Sequence, residues 1–374
     1  MIIFAINKIS LHLYNLIIII IMKKLYPLLA AVILFIAAPK AGAQNGFSSL
    51  IQSSPGDATK LIDAYGQPLF KGFGADMNSG WANTAKTKKL LHFDLRITAS
   101  GAFTPASDKT FDVTQIGLSN NVRLDPSSQS PIAQTITGDK NLSGPTLGVY
   151  NNTGQKEADF TVPSGKLPII PAPDIQLTVG LVNNTDVTLR LIPNINVGNN
   201  VGSVSMLGFG LKHDIMQYFA GPAKKVVPFD LSVLFAWSRM NLNANLNVQP
   251  QDGEVHDPTD PNQSNDFSNQ HTQAHFTSFL GEAIISKKLL FFTPFLAVGY
   301  NTASTNLDVI GNYPVTNSSA DTYAVFTNPV TIHETSISGM RADIGFQLNL
   351  GIRIFASASL AEYKSVNAGI GFGF

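Results

Sequence analysis

Val366-Asn367-Ala368-Gly369-Ile370-Gly371-Phe372-Gly373-Phe374 closes the chain. Side chains in a β-strand alternate between two faces. Val366, Ala368, Ile370, Phe372 and Phe374 therefore share one face. Asn367, Gly369, Gly371 and Gly373 share the other. The polar face of a soluble sheet meets bulk water and usually carries charges. This one carries almost nothing, and the apolar face ends on an aromatic.

The same alternation recurs upstream. Leu91, Phe93, Leu95, Ile97 and Ala99 oppose His92, Asp94, Arg96, Thr98 and Ser100. Val187, Leu189 and Leu191 oppose Asp186, Thr188 and Arg190. Leu207, Phe209 and Leu211 oppose Gly208, Gly210 and Lys212. Ile344, Phe346, Leu348, Leu350, Ile352 and Ile354 oppose Asp343, Gly345, Gln347, Asn349 and Arg353. One such strand fits a soluble sandwich equally well. Repeated with small, Gly-rich polar faces, the pattern suits a crowded lumen on one side and lipid on the other.

Composition agrees. Only 13% of the 374 residues are charged, against about 25% in a typical soluble domain. The formal net charge is zero, so no field recruits nucleic acid. Mean hydropathy is +0.12, yet no apolar run long enough for a spanning helix follows residue 45. The chain has no Cys, which excludes disulfides, thiolate metal sites and a lipidated N-terminal Cys.

Met22-Lys23-Lys24, the apolar LYPLLAAVILFIAAP and Ala41-Gly42-Ala43 read as a secretory signal with a small-x-small cleavage site. Its apolar run is too short to anchor as a spanning helix. Residues 1–21 read as a mis-called upstream extension, 22–43 as the signal, 44–89 as an N-terminal hatch and 90–374 as the barrel. In the hatch, Asp57 is the expected N-cap. Leu61, Ile62 and Tyr65 fall at helical spacing, and Pro68 with KGFGAD is expected to end the helix.

Connections come in two lengths. VNNTD (182–186), SKK (286–288) and NLG (349–351) are short; 119–172, 248–270 and 306–337 are long. Short turns belong to the periplasmic end of a membrane barrel and long loops to the outer end. Eleven strands are countable, including one at 110–118. Single-chain barrels carry even numbers, and LGVY (147–150) or EADFTV (157–162) could supply more, giving an expected 12–14. Within 227–247 the apolar residues move from odd positions, through Trp237, to even ones from Met240. A bulge near Ser238–Arg239 does this, and so does emergence into a protruding hairpin with 272–286.

No P-loop, metal-spaced His cluster or nucleophile elbow is present. His271, His275 and His256 read as loop and rim residues, so no metal or cofactor is expected and the protein is not read as an enzyme. His92, Asp94, Arg96, Arg190 and Arg353 are the candidate polar residues of the lumen. Leu61, Tyr65, Phe70, Phe73, Met77 and Trp81 are the candidate lining of an apolar hatch pocket, with Gly72 and Gly74 letting that segment bend. Phe291, Phe292 and Tyr300 bracket a strand as interfacial girdles do.

The C-terminal strand resembles the assembly signal of outer-membrane barrels, through Val366, Ala368, Ile370, Phe372 and Phe374. The helix followed by PLFKGFGADMNSGWANTAKTKKLLHFDLRITAS is similar to the N-terminal part of FadL-like fatty-acid transporters and PorV-like barrels, with Asn78, Ser79, Gly80, Trp81, Ala82 and Ala85 in the small-residue stretch. The whole chain looks most like an uncharacterised Bacteroidetes-type group of such barrels. That resemblance implies a monomeric 14-strand outer-membrane barrel whose hatch sits inside. It implies passive uptake of small hydrophobic compounds or, alternatively, a scaffold for secreted partners. The partners it implies are outer-membrane lipids, the barrel assembly machinery and a hydrophobic small-molecule ligand. An outer-membrane enzyme and a soluble secreted β-protein are the remaining alternatives.

Overall fold

The computed structural model describes residues 50–51, 54–151, 153–198, 202–220, 227–250, 253–316 and 322–373. The expected leader and Phe374 lie outside the described residues.

Helix α1 spans Pro55–Met77. Ser54 caps it, its hydroxyl accepting from the Asp57 amide at 3.4 Å, and Pro55 occupies the first turn, where no N–H is needed. Asp57 is therefore not the N-cap. Its carboxylate instead accepts from the Ser119 amide and hydroxyl at 2.7 and 2.6 Å. Nor does Pro68 end the helix. A proline removes one i→i−4 bond, but the chain continues helical to Met77 because the surrounding wall holds it. Gly72 and Gly74 serve that packing rather than a bend. A Cβ at Gly72 would collide with Ile170, and one at Gly74 with Ala303 and Ile337.

The strands, in chain order, are β1 (Phe93–Phe103), β2 (Thr110–Asp112), β3 (Val122–Leu124), β4 (Ile132–Gln134), β5 (Thr146–Tyr150) and β6 (Lys156–Thr161). Next come β7 (Ile170–Leu181), β8 (Thr185–Gly198), β9 (Gly202–Asp214), the short helix α2 (Met216–Ala220), β10 (Asp230–Asn245), β11 (Val255–His256) and β12 (His271–Ser286). The last are β13 (Phe292–Ile310), β14 (Asn312–Thr316), β15 (Thr322–Thr327), β16 (Val330–Leu350), β17 (Ile352–Leu360) and β18 (Lys364–Phe372).

Among the described residues the closed barrel runs β1-β18-β17-β16-β13-β12-β10-β9-β8-β7. Every neighbouring pair is antiparallel. It is a ten-strand barrel, which corrects the expected 12–14 and the 14 implied by resemblance. The segment 110–118 leaves the wall. LGVY and most of EADFTV are strands, β5 and β6, but β5 pairs with β6 on one side and with β3 on the other, outside the wall. Their apolar side chains, Leu147 and Phe160, pack in one cluster with Leu61 and Tyr65 of α1. The long connection is thus a cap whose hydrophobic partner is the helix.

Long segments gather at one end: 104–169, 246–270 and 311–329. The opposite end holds the tight joins 182–184, 287–291 and Gly351 (φ 88°), together with 215–220 and 227–229. The short turns and long loops therefore separate as expected, except that the connection between β9 and β10 is long for its end.

The wall is inverted relative to a soluble protein. Asp94, Arg96, Thr98 and Ser100 are buried, while Phe209, Phe235, Phe279, Ile344 and Ile370 on outward faces are exposed. A wall apolar outside and polar inside is stable only where lipid replaces water. This is a transmembrane antiparallel β-barrel.

The phase change in β10 has a specific cause. Its pairing with β9 and β12 is unbroken through Ser238 and Arg239, so no bulge lies there. The odd positions point outward throughout: Val233, Phe235 and Trp237, then Arg239, Asn241 and Asn243. The outer face turns polar just above Trp237, while the inner face turns apolar at Met240. Neighbouring strands switch at matching heights, at Phe279/Thr277 on β12, Tyr300/Thr302 on β13 and Met340/Ser338 on β16. That ring of changes marks the edge of the membrane. Above it the strands continue as the protruding hairpins expected for 227–247 and 272–286. Phe229 to Trp237 covers roughly 20 Å along the barrel axis at ordinary strand rise and tilt. A register shift does occur elsewhere, where Ser336 has no partner between Ala303 and Ser304.

Candidate functional site: the plugged lumen

A barrel of eight strands is filled by its own side chains. Ten leave room for one further element, and here that element is α1 followed by the strap 78–88. The helix starts under the cap and descends past Ile170, Ala303 and Ile337. The strap continues to the short-turn end and joins β1 through Leu91, which adopts φ 61°.

The upper lumen is largely apolar, with Gln67 of α1 bonded to Glu334 of β16 at 3.1 Å as a polar exception. Leu61, Tyr65, Phe70 and Met77 are buried in one cluster with Met206, Met240, Phe276, Val309 and Ile332 from the wall and with Val113, Val122, Leu147 and Phe160 from the cap. Phe73 packs against this cluster, its ring 5.1 Å from that of Phe276. Five of the six expected hatch residues thus share one chamber, which they fill. The sixth, Trp81, belongs to a separate cluster with Ala85, Leu234, Leu280 and Ile284.

The lower lumen is ionic, and its organising problem is the strap. A buried segment without regular structure must still satisfy its backbone. The wall does this with side-chain donors. Arg190 donates to the carbonyls of Met77 and Ser79 at 2.8 and 2.7 Å. Gln176 donates to Gly80 at 3.0 Å, and Arg96 to Trp81 at 3.1 Å. Lys212 reaches both Thr84 and Lys86 at 3.0 Å, and Ser232 donates to Ala85. The Arg190 guanidinium also lies 4.0 Å over the Trp81 ring, a desolvated cation–π contact. Gly208 and Gly210 let that ring approach the wall, since a Cβ on either would meet it.

Anions balance these cations. Asp174 lies 3.5 Å from Arg190, Asp186 lies 3.2 Å from Lys212, and Asp94 gathers Lys88, Arg96 and Arg353. Arg341 and Asp343 form a two-point pair at 2.9 and 2.7 Å, with Ser359 donating to Asp343. Ser79 meets Ser365 at 2.7 Å, tying the strap to β18. A small polar cavity of about 20 Å³ remains between Trp81, Asp94, Arg96 and Lys212, room for little more than one water.

Asp94, Arg96, Arg190 and Arg353 all face the lumen. His92 does not. It is exposed just before β1, because the left-handed turn at Leu91 delays the strand to Phe93. Sequence reasoning missed Asp76, Asp174, Gln176, Asp186, Lys212, Glu282, Arg341 and Asp343. Most carry the signal that nominated Asp94, a polar residue alternating with apolar ones. Val366, Ala368, Ile370 and Phe372 face outward on β18, which closes the barrel against β1 from Leu95↔Phe372 to Phe103↔Lys364. His275 bonds Asn241 at 2.7 Å and His256 bonds Asp260 at 3.0 Å. Among the described residues no group of three His, Cys, Asp or Glu is placed to hold a metal.

Fold and lumen together define a membrane-spanning β-barrel closed by its own N-terminal segment. The model of a family of unknown function, DUF6588, matches residues 22–374, and the chain belongs to that family. No curated protein matches it. The chain is also similar to several solved structures. One is the translocator domain of the autotransporter NalP from Neisseria meningitidis, with 9% identity, 85% of this chain and 97% of that chain covered, and a TM-score of 0.29. Another is a mutant of the monoaromatic hydrocarbon channel TodX, with 11% identity, 82% and 75% covered, and a TM-score of 0.25. A third is a Pseudomonas aeruginosa FadL homologue, with 10% identity, 75% and 88% covered, and a TM-score of 0.18.

Proposed function

We propose that the protein is an outer-membrane channel for small hydrophobic compounds, shut in this conformation by its plug. The supporting observation is the division of the lumen. An apolar chamber containing Tyr65, Phe70, Phe276 and three methionines, Met77, Met206 and Met240, ends on a polar strap. Methionine adapts its shape to varied apolar surfaces, which suits a chamber that exchanges packing for ligand. The strap is held by side chains rather than by a strand ladder, so its bonds can be released piecemeal. Opening in this reading is movement of residues 78–88, with α1 following. No residue is assigned a catalytic role, and the outward face of β18 serves the assembly machinery.

A disulfide lock tests this directly in a chain that has no other cysteine. Ser79→Cys with Ser365→Cys would tether the strap to β18 where the two hydroxyls now meet. Uptake of a hydrophobic fluorescent probe into vesicles should stop under oxidation and return on reduction. Equal uptake in both states would sink plug displacement. The folded cap favours a second reading, a scaffold that presents 104–169 to a secreted partner. Stoichiometric co-purification of such a partner, lost on trimming the cap, would favour it.

A further inference from the structure

We infer that the outer wall carries a specific phospholipid site on the face formed by β13, β16, β17 and β18. This rests on the membrane-spanning reading of the barrel and not on transport. An apolar groove of about 950 Å³ runs across that face. Phe292, Ile344 and Phe346 form its lip, and Ala356 and Ala368 its trough. The trough is continuous because of the strand register, which sets Phe346 beside Ala356, Ala356 beside Ala368, and Ala368 beside Ala99. A bulky residue thus stands next to a row of alanines, and the wall is recessed where the first and last strands meet.

The groove is not apolar at every point. Lys287, in the short join between β12 and β13, lines its end, and the exposed Lys288 follows. Among the described residues neither ammonium makes an ion pair. An apolar recess ending at two unpaired cations complements an acyl lipid with an anionic phosphate headgroup. The lysines lie at the short-turn end, so the lipid belongs to the leaflet on that side. A volume near the top of the usual range for small-molecule sites suits a two-chain lipid better than a single fatty acid. Bare lipid contact alone would need neither the recess nor the cations.

The test is lipid retention by the full chain. Barrel extracted in mild detergent and washed exhaustively should keep about one phospholipid, counted by phosphorus assay and native mass spectrometry. Lys287→Gln with Lys288→Gln should weaken retention about 30-fold, each lysine near an anionic headgroup being worth about fivefold. Ala356→Phe should abolish retention by filling the trough. Heat-modifiable gel migration reports that both variants are folded. Wild-type barrel without phospholipid, or variants retaining as much as wild type, would overturn the site. So would a two-barrel particle cross-linked through Ala356→Cys, which would make a second copy the occupant. Loss of probe gating with lipid retained would count against the channel alone.

Discussion

The two halves of the lumen solve the same problem with opposite chemistry. Above the membrane edge the interior is packed like a soluble core, with α1 as one side and the wall and cap as the other. A helix satisfies its own backbone, so the wall need not supply donors to it and meets it mainly with apolar side chains. Below that edge the plug is an irregular strap, its carbonyls need donors, and the wall supplies Arg96, Gln176, Arg190, Lys212 and Ser232. Plug geometry thus explains the change from Met206 and Met240 above to Arg190 and Lys212 below. Outside the wall the same level marks the opposite change, from lipid to water.

The largest expected effect breaks the lower half. Arg190 is among the most deeply buried side chains and serves the last helix carbonyl, Met77, the strap carbonyl of Ser79, and Asp174. Arg190→Ala should cost about 3–5 kcal/mol, because it strands a buried anion and its former acceptors. Urea unfolding in detergent measures this, and planar-bilayer recording should show leak current as the strap loosens. A stable, silent variant would contradict the clamp.

Breaking the upper half should look different. Phe276→Ala removes a ring packed between Phe70 and Phe73 and should cost about 3–4 kcal/mol. The strap should stay closed, so stability falls without leak. Equal conductance for Phe276→Ala and Arg190→Ala would erase the distinction between the halves.

The outer boundary can be sharpened with one strand. Val233 lies midway up the apolar band of β10, and Asn243 lies above Trp237 on the same outward face. Val233→Arg should cost about 2–4 kcal/mol in a bilayer, and Asn243→Arg about 0–1 kcal/mol. Unfolding titrations in vesicles compare them. Similar costs would move the membrane edge.

The smallest effect concerns the external sheet of β11, β14 and β15. The Asp260 carboxylate bonded to His256 holds that imidazole's pKa above its usual value, and Asn265 faces its other nitrogen. Protonated histidine donates from both nitrogens. The resulting local stability is fully present below about pH 6.5, the ordinary histidine value. It is lost as pH rises through the elevated folded value. Hydrogen exchange across 253–265 should therefore quicken with pH beyond its intrinsic trend, and His256→Gln should remove that excess.

Much of the barrel was legible because lipid outside and a crowded lumen inside impose a strict period of two. Ten of the eleven countable strands are in the wall. The eleventh, at 110–118, was miscounted because an external cap strand packed on a helix carries the same local pattern. The phase change at Ser238–Arg239 was visible as residues but ambiguous as structure. A slipped register and an inverted environment read alike until the partners of β10 are known. Asp94, Arg96, Arg190 and Arg353 were legible as inward polar residues on apolar strands. The bonding of Arg96 and Arg190 to strap carbonyls was not, since the acceptors belong to backbone and leave no trace in residue type.

The sequence by itself determined a membrane barrel, its inward and outward faces, and the end on which its long connections lie. Those properties follow from local alternation and from the polarity of the medium on each side. Tertiary structure alone decided that ten strands close, that α1 runs unbroken through Pro68, and that the lumen is filled. Closure and filling depend on which distant segments meet, such as Gly74 with Ala303 and Arg190 with Ser79. A one-dimensional pattern carries the preference of each residue for water or lipid, but not the identity of the neighbour that satisfies it.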